Sequence, residues 1–86
     1  MRIIFHKNFS RQYSKLQQKE QQKTDSRIEL FEKNSLDPLL NNHALHGEYN
    51  GYRSINIIGD LRAIYEEINS DTIHFIALGT HHELYE

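Results

Sequence analysis

Apolar residues occur in short blocks along this chain, and their spacing differs between its two halves. Residues 2–6 form a brief apolar run, which predicts a first strand. Asn8 or Ser10 then offers a short polar side chain that can cap the first turn of a helix. Three apolar residues recur at helical spacing after this cap: Phe9, Tyr13 and Leu16. The chain is therefore predicted to begin with a strand and a short helix that buries one face.

A polar run at residues 17–23 is compatible with a helix but has few apolar anchors, so the first helix is expected to fray there. Thr24 or Asp25 can start a second helix. Its buried side has three apolar members: Ile28, Leu30 and Phe31. This helix ends within residues 34–38, because the residue before a proline avoids helical geometry. The pattern predicts two short helices in a hairpin.

Strands dominate the second half of the chain, after a predicted loop at residues 37–48. Three strands are expected, at residues 52–58, 61–67 and 72–78. Turn-forming residues at 59–60 and 69–71 join them into a meander. Thr80 followed by Glu83 is a capping-box pattern, which predicts a short helical turn after the last strand.

The order of elements is β-α-α-β-β-β with a C-terminal helical turn. This order indicates an α+β fold in which two N-terminal helices pack on an antiparallel sheet. Residues 1–86 are expected to form a single domain, since a chain of this length builds one modest core. The absence of cysteine excludes disulfides and thiolate metal sites. No run approaches the roughly 20 apolar residues that cross a bilayer, so we expect a cytoplasmic protein without membrane association.

Charge is distributed unevenly along the chain. Residues 1–23 carry six cations and one glutamate, a balance of +5. Residues 24–86 carry four cations and eleven acidic residues, a balance of −7. A basic segment of this kind suits an anionic partner such as RNA. The alternative is a solvated helix face that has no partner.

Titratable side chains gather after the last predicted strand. Residues 79–85 include two histidines, a threonine, a glutamate and a tyrosine. Histidine exchanges protons near neutral pH, so it can act as a general acid or base. With His43, Asp60 and Arg62, this segment supplies an acid, a base and a phosphate-binding cation, which can cleave RNA through its 2′-hydroxyl. The strand order alone does not establish that Asp60 and His81 meet.

Three motifs in the second half resemble a known family: residues 43–53, 59–65 and 79–85. They follow the patterns H-x-L-x-G-x-x-x-G-Y-R, D-x-x-x-x-Y and G-T-H-x-x-L-aromatic, which are specific when they occur in this order. On these motifs the chain resembles the YafQ branch of the RelE/ParE superfamily, toxins of bacterial type II toxin–antitoxin pairs. The first half matches by layout only. The resemblance implies a small RelE-like fold and a ribosome-dependent mRNA endonuclease that uses no cofactor.

Carried over position by position, the resemblance implies four catalytic residues: His43, Asp60, His81 and Tyr85. It also implies that Arg62 binds the substrate phosphate, and we expect Arg53, His46 and His82 to be substrate-binding residues as well. The chain departs from the family at Asn56, where a histidine is expected, and at Leu61, where a tryptophan often follows the aspartate. Because neutral asparagine cannot act as a base, that role falls away or passes to His81 or His46.

The implied partners are the ribosome, mRNA and a mostly acidic antitoxin with a DNA-binding N-terminal part. Operator DNA would be reached only through the antitoxin complex. Two other functions stay open: a ParE-like gyrase poison without nuclease activity, and a decayed toxin that only binds its antitoxin and helps to repress the operon. A metal site built from His43, His81 and His82 is a further alternative.

Overall fold

The computed structural model describes residues 1–85. In chain order the elements are β1 (Arg2–Phe5), α1 (Lys7–Ser14), α2 (Gln18–Lys33), β2 (His43–Ala44), β3 (Arg53–Ile58), β4 (Leu61–Asn69), β5 (Thr72–Thr80) and α3 (His81–Tyr85). Short 3₁₀ turns at Pro38–Leu40 and Gly47–Tyr49 flank β2. Across these residues, no helix combines the length and the apolar character that crossing a membrane requires.

The strands form one mixed sheet in the order β1-β5-β4-β3-β2. Neighbours from β2 to β5 pair antiparallel, as the meander predicts. β1 instead pairs parallel with β5, with Ile3 opposite Ile73. The expected antiparallel pairing is therefore present among four strands, whereas the first strand pairs in parallel. Parallel neighbours need a long connection, and the two helices with the meander supply it.

Both N-terminal helices pack on one face of the sheet, as predicted. Phe31 of α2 and Phe75 of β5 are 1% and 0% exposed, and their ring centroids lie 5.4 Å apart. Phe9 of α1 lies 5.7 Å from Phe75 on the same side. Ile55 and Ile57 of β3 belong to the same apolar cluster. Burying each such side chain contributes about 1.5–3 kcal/mol, so this layer holds the helices on the sheet.

The first helix begins earlier than its sequence pattern indicated. His6, rather than Asn8 or Ser10, is the N-cap of α1, and its Nδ1 accepts a 3.0 Å hydrogen bond from the Asn8 backbone amide. An imidazole nitrogen is an unusual cap, so the usual pattern of a short polar side chain before a helix does not indicate it. Leu16 lies just beyond the helix but still packs against the core.

The second helix includes the polar run that was expected to fray. α2 begins at Gln18, and the carboxylate of Glu20 accepts a 3.1 Å hydrogen bond from the Gln17 backbone amide. This contact satisfies a group that is otherwise unpaired at a helix start, so the helix needs no apolar anchor there. The hydroxyl of Tyr13 on α1 donates to Asp25 on α2 at 2.8 Å, and this hydrogen bond raises the pKa of Tyr13.

Candidate functional site

The sheet face turned away from α1 and α2, here called the open face, carries polar side chains. Asn56 lies between Ile55 and Ile57, which both enter the helix-side core, so its side chain points to the open face. Arg62 is its direct partner on β4 and shares that face. α3 covers the neighbouring part of the face through Leu84, which is buried in a second, smaller apolar cluster.

Asp60 connects two other candidate residues at one end of the open face. It lies in the two-residue turn between β3 and β4, after Gly59, whose φ of +56° suits the first position of a tight hairpin turn. One carboxylate oxygen lies 3.5 Å from Nη2 of Arg62. The other accepts a 3.2 Å hydrogen bond from the backbone amide of His81. A single carboxylate thus ties the guanidinium to the start of α3.

The meeting of Asp60 and His81, which the sequence left open, follows from the sheet register. Leu61 at the start of β4 is opposite Thr80 at the end of β5. In an antiparallel pair, the beginning of one strand always lies beside the end of its neighbour. The turn before β4 and the helix after β5 therefore occupy the same edge of the sheet.

The capping box at the start of α3 is present as predicted. Glu83 accepts a 2.8 Å hydrogen bond from the Thr80 backbone amide, and the Thr80 hydroxyl accepts a 3.2 Å bond from the Glu83 amide. The hydrogen bonds to the Thr80 backbone and side chain hold the pKa of Glu83 below its usual range. Gly79 leaves room for this reversal, because a Cβ there would lie 3.2 Å from a Glu83 carboxylate oxygen.

We expect Thr80→Ala to fray α3 and to lower the free energy of unfolding by about 1 kcal/mol, as the loss of a cap does. Lowering the pH of the wild-type protein should also reduce the free energy of unfolding. The pKa of Glu83 is depressed by folding, so its contribution is present above the unfolded pKa and is lost as pH falls through the folded one. Thermal unfolding of the wild type and of Thr80→Ala, followed by circular dichroism at neutral and acidic pH, measures these effects. Ser70→Ala, in an exposed turn, is the control, and an equal loss there would contradict the cap.

His81 and Tyr85 lie on the same side of α3. Their ring centroids are 4.6 Å apart. The Tyr85 ring also meets Tyr49 edge-on at 5.6 Å, and the Tyr49 hydroxyl donates to the Leu84 carbonyl at 3.1 Å. His81 is exposed, whereas Tyr85 is half-buried. Tyr85 therefore closes the small aromatic cluster and at the same time supports the exposed imidazole of His81.

His43 reaches the open face from the edge strand β2, in a segment that was predicted to be a loop. It pairs with Ser54 of β3, and its Nδ1 lies 2.8 Å from the carbonyl oxygen of Asn41. Because a carbonyl only accepts, Nδ1 carries the proton, and Nε2 of the neutral ring keeps its lone pair. β2 is two strand spacings, roughly 10 Å, from the strand that carries Arg62. His43 thus lies on the same face as Arg62 but further across it.

Arg53 lies apart from the other candidate cation. It is paired with Tyr65, which faces the helix-side core, whereas Arg62 belongs to the open face. Its Nε donates a 2.9 Å hydrogen bond to Oδ1 of Asn42, and Asn42 also donates to the Tyr65 hydroxyl at 2.9 Å. The structure therefore separates Arg53 from Arg62 and engages it in a network at the β2–β3 edge.

His46 and His82 are both exposed. His46 immediately precedes the 3₁₀ turn Gly47–Tyr49, whose Tyr49 contacts Tyr85 and Leu84 of α3. His82 follows His81 on α3, and adjacent helical residues project to different faces. Within residues 1–85, no three histidine, aspartate or glutamate side chains assemble in a metal-binding geometry. The geometry accordingly offers no support for the three-histidine metal alternative.

The structure adds a basic residue that the motifs did not indicate. A groove of about 330 Å³ next to Asp60 is lined by the start of α2, including Lys19 and Glu20, and by Thr80 at the end of β5. The uneven charge of residues 1–23 was the signal for it. Part of that basic segment therefore borders the edge where Asp60, Arg62 and His81 meet.

Comparison with known proteins places the chain among bacterial toxins. The family model for YafQ, a bacterial toxin of type II toxin–antitoxin systems, matches residues 1–86. YafQ from E. coli strain BL21(DE3) is 26% identical over 100% of both chains, with a TM-score of 0.80. A chain of the E. coli DinJ–YafQ complex is 27% identical over 100% of both chains, with a TM-score of 0.77. A YoeB/ParE toxin from Agrobacterium tumefaciens shares the fold with a TM-score of 0.78, at 18% identity over 94% of this chain and 99% of that one. No curated protein matches the chain significantly.

The family match extends further than the sequence motifs did. Those motifs lie in the second half, whereas the family model also covers the strand and helices of the first half. The layout of helices on a mixed sheet is shared with the solved YafQ structures. The chain therefore belongs to the YafQ family, the toxins of bacterial type II toxin–antitoxin systems.

Proposed function

We propose that this toxin is an endoribonuclease that cuts mRNA on the ribosome through the ribose 2′-hydroxyl, without a metal. The observation that carries the proposal is the position of Asp60, whose carboxylate joins the Arg62 guanidinium to the backbone of His81. A phosphate-binding cation and an exposed imidazole are thereby held at one end of the open face. Cleavage of a phosphodiester needs these two groups side by side.

Each group has a role that follows from its surroundings. Arg62 binds the scissile phosphate and stabilises the charge that grows on it during attack. His81 takes the proton of the 2′-hydroxyl. Both oxygens of Asp60 already have partners, so it positions Arg62 and His81 instead of exchanging protons with RNA. Tyr85 supports the His81 ring and offers an aromatic ring on which a base can stack.

The leaving 5′ oxygen needs a proton, and we assign this step to His43. In its imidazolium form, Nδ1 still donates to the Asn41 carbonyl, and the Nε2 proton is available for the leaving group. The 2′ oxygen forms the new bond to phosphorus as the bond to the 5′ oxygen breaks. The products are a 2′,3′-cyclic phosphate and a free 5′-hydroxyl. RNA lying across the open face would span the distance between His43 and His81.

Charge supports a nucleic-acid substrate. Residues 1–23 carry a balance of +5, and Lys19 borders the groove beside Asp60. Cations near a cleavage site attract the phosphates of RNA on either side of the bond that is cut. The whole chain is slightly acidic, with a net charge of −2, so binding depends on this local surface and not on the overall charge.

We further propose that a cognate antitoxin silences the toxin. A 27% identical E. coli relative was solved as a DinJ–YafQ complex. The antitoxin proposed here is mostly acidic and has a DNA-binding N-terminal part, so operator DNA is bound only through the complex. The basic segment of the toxin suits an acidic partner. A toxin that has the ribosome, mRNA and an antitoxin as partners acts in the cytoplasm.

In a reconstituted translation reaction, we expect the toxin to shorten mRNA and to leave 2′,3′-cyclic phosphate ends. Phenanthroline, which removes transition metals but leaves ribosomal magnesium in place, should not slow the reaction. Primer extension and end-group analysis measure the products. Intact mRNA together with inhibited DNA supercoiling would instead identify a gyrase poison. Loss of both activities with antitoxin binding retained would identify a decayed toxin.

A further inference from the structure

Three polar side-chain atoms on the open face are buried and have no hydrogen-bond partner within residues 1–85, and two of them are Asn56 Oδ1 and Arg62 Nε. These two belong to directly opposed residues of β3 and β4, so both side chains rise from the same place on the sheet. The first atom is an acceptor, and the second carries a donor N–H. Leaving buried polar groups unpaired is costly, so a partner from outside the chain, either water or a ligand, is expected to satisfy them.

Arg62 has one side already engaged. Its Nη2 lies 3.5 Å from Asp60, which holds the guanidinium in place and leaves the Nε–H for another acceptor. A phosphate oxygen fits this donor, because guanidinium groups bind phosphate through their planar fork of N–H groups. The phosphate cannot satisfy Asn56, since an anionic oxygen and the Asn56 carbonyl oxygen are both acceptors. The ligand must therefore present a donor next to a phosphate.

RNA presents this pair of groups, and DNA does not. The 2′-hydroxyl is a donor on the same sugar that carries the 3′-phosphate, and deoxyribose lacks it. We infer that Asn56 Oδ1 accepts a hydrogen bond from the 2′-hydroxyl of the nucleotide whose phosphate Arg62 binds, and so selects RNA. The inference rests on the proposed function and assigns a substrate-binding role to the position where the family resemblance places a histidine.

The contact belongs to the bound state before reaction. Asn56 holds the hydroxyl hydrogen and so directs the oxygen lone pairs toward phosphorus. The proton then passes to His81 as the new bond from oxygen to phosphorus forms, so Asn56 itself gains no proton. Ser54 Oγ is the third of these atoms, but the whole of Ser54 is 0% exposed, whereas the side chains of Asn56 and Arg62 are only half-buried, so a substrate has access to those two side chains and not to Ser54.

Two uncleavable mRNAs test whether Asn56 binds a hydrogen-bond donor at the 2′ position. Each carries one modified sugar at the cleavage-site nucleotide: 2′-amino, which keeps a donor, or 2′-fluoro, which has none. Ribosomes programmed with either mRNA compete for the toxin with ribosomes that carry a cleavable reporter. For the wild type we expect the 2′-amino mRNA to inhibit about fivefold more strongly, as one neutral hydrogen bond allows. In Asn56→Ala the ratio should fall to about one.

Two further variants make the result specific. Asn56→Asp keeps an acceptor at this position and should retain the preference for the 2′-amino mRNA even where overall affinity falls. Asn69→Ala, at the exposed far end of β4, should leave the ratio unchanged. An undiminished ratio in a folded Asn56→Ala protein, or a wild-type ratio of one with active cleavage, would overturn the inference alone. Failure of the wild type to cut the reporter would overturn the proposed function and this inference with it.

Discussion

Replacing His43 and His81 together with alanine is expected to lower the rate of mRNA cleavage by about 10²- to 10⁴-fold, the range that general acid–base groups contribute. Asp60 links the backbone of His81 to the guanidinium of Arg62. His43 lies on the same face of the sheet, and its Nε2 is available for proton transfer because Nδ1 is bonded to the Asn41 carbonyl. Both side chains are partly or fully accessible and fill no core position. The loss should therefore be catalytic, with thermal stability almost unchanged.

His74→Ala is the matched control for this double variant. His74 also lies on the sheet but contacts Glu66 at 3.2 Å and His6 at 5.7 Å between rings, away from Asp60. Cleavage by His74→Ala should stay near the wild-type rate. Single-turnover cleavage of ribosome-bound mRNA gives the rates, and growth arrest in cells gives an independent readout. Wild-type cleavage by the double variant would show that the acid–base assignment is wrong.

Phe75→Ala is expected to destabilise the protein by about 3–5 kcal/mol, the usual cost of emptying a buried phenylalanine site. Phe75 is 0% exposed and meets four aromatic rings at centroid distances of 5.4–5.9 Å: Phe5, Phe9, Phe31 and Tyr65. Phe75 thus packs β5 against an aromatic residue of α1, one of α2 and one of β4. Domains of this kind have about 5–15 kcal/mol of total stability, so the variant should be largely unfolded under mild denaturation.

Urea unfolding followed by circular dichroism measures this effect, and Phe5→Ala is its control. Phe5 touches the same cluster but is 44% exposed, so its removal opens no closed cavity and should cost about 1 kcal/mol or less. Equal midpoints for the two variants would contradict the packing described for β5. Antitoxin binding to the Phe75→Ala protein should fall in parallel, because a partner that recognises the folded toxin does not bind the unfolded chain.

Local features of the site were predictable from residues that lie close together in the chain. The capping box of Thr80 and Glu83 spans one turn, so its residues find each other in any folded context. The turn at Gly59 and Asp60 is set by backbone preference in the same way. The N-cap at His6 was missed for a different reason, because imidazole is seldom a cap and its use depends on the strand that precedes it.

The sheet face that each strand residue occupies and the register between strands were not predictable. Both depend on pairing and packing with residues in other elements. Arg53 and Arg62 both lie in strands with similar patterns, yet one faces the helix-side core and the other the open face. A shift of one residue in the pairing of either strand would turn its arginine to the opposite face. β2 was missed because a two-residue strand has no periodicity of its own and exists only through its pairing with β3.

By itself, the sequence determined the order of the elements apart from β2, the turns between the strands and the kinds of groups available for acid–base chemistry. It also carried the motifs of a toxin family. Only the tertiary structure decided that β1 lies parallel to β5, that Asp60 links Arg62 to His81, and that Asn56 faces Arg62. The reason is physical: turns and caps depend on neighbouring residues, whereas strand order and register depend on packing the whole chain around one core.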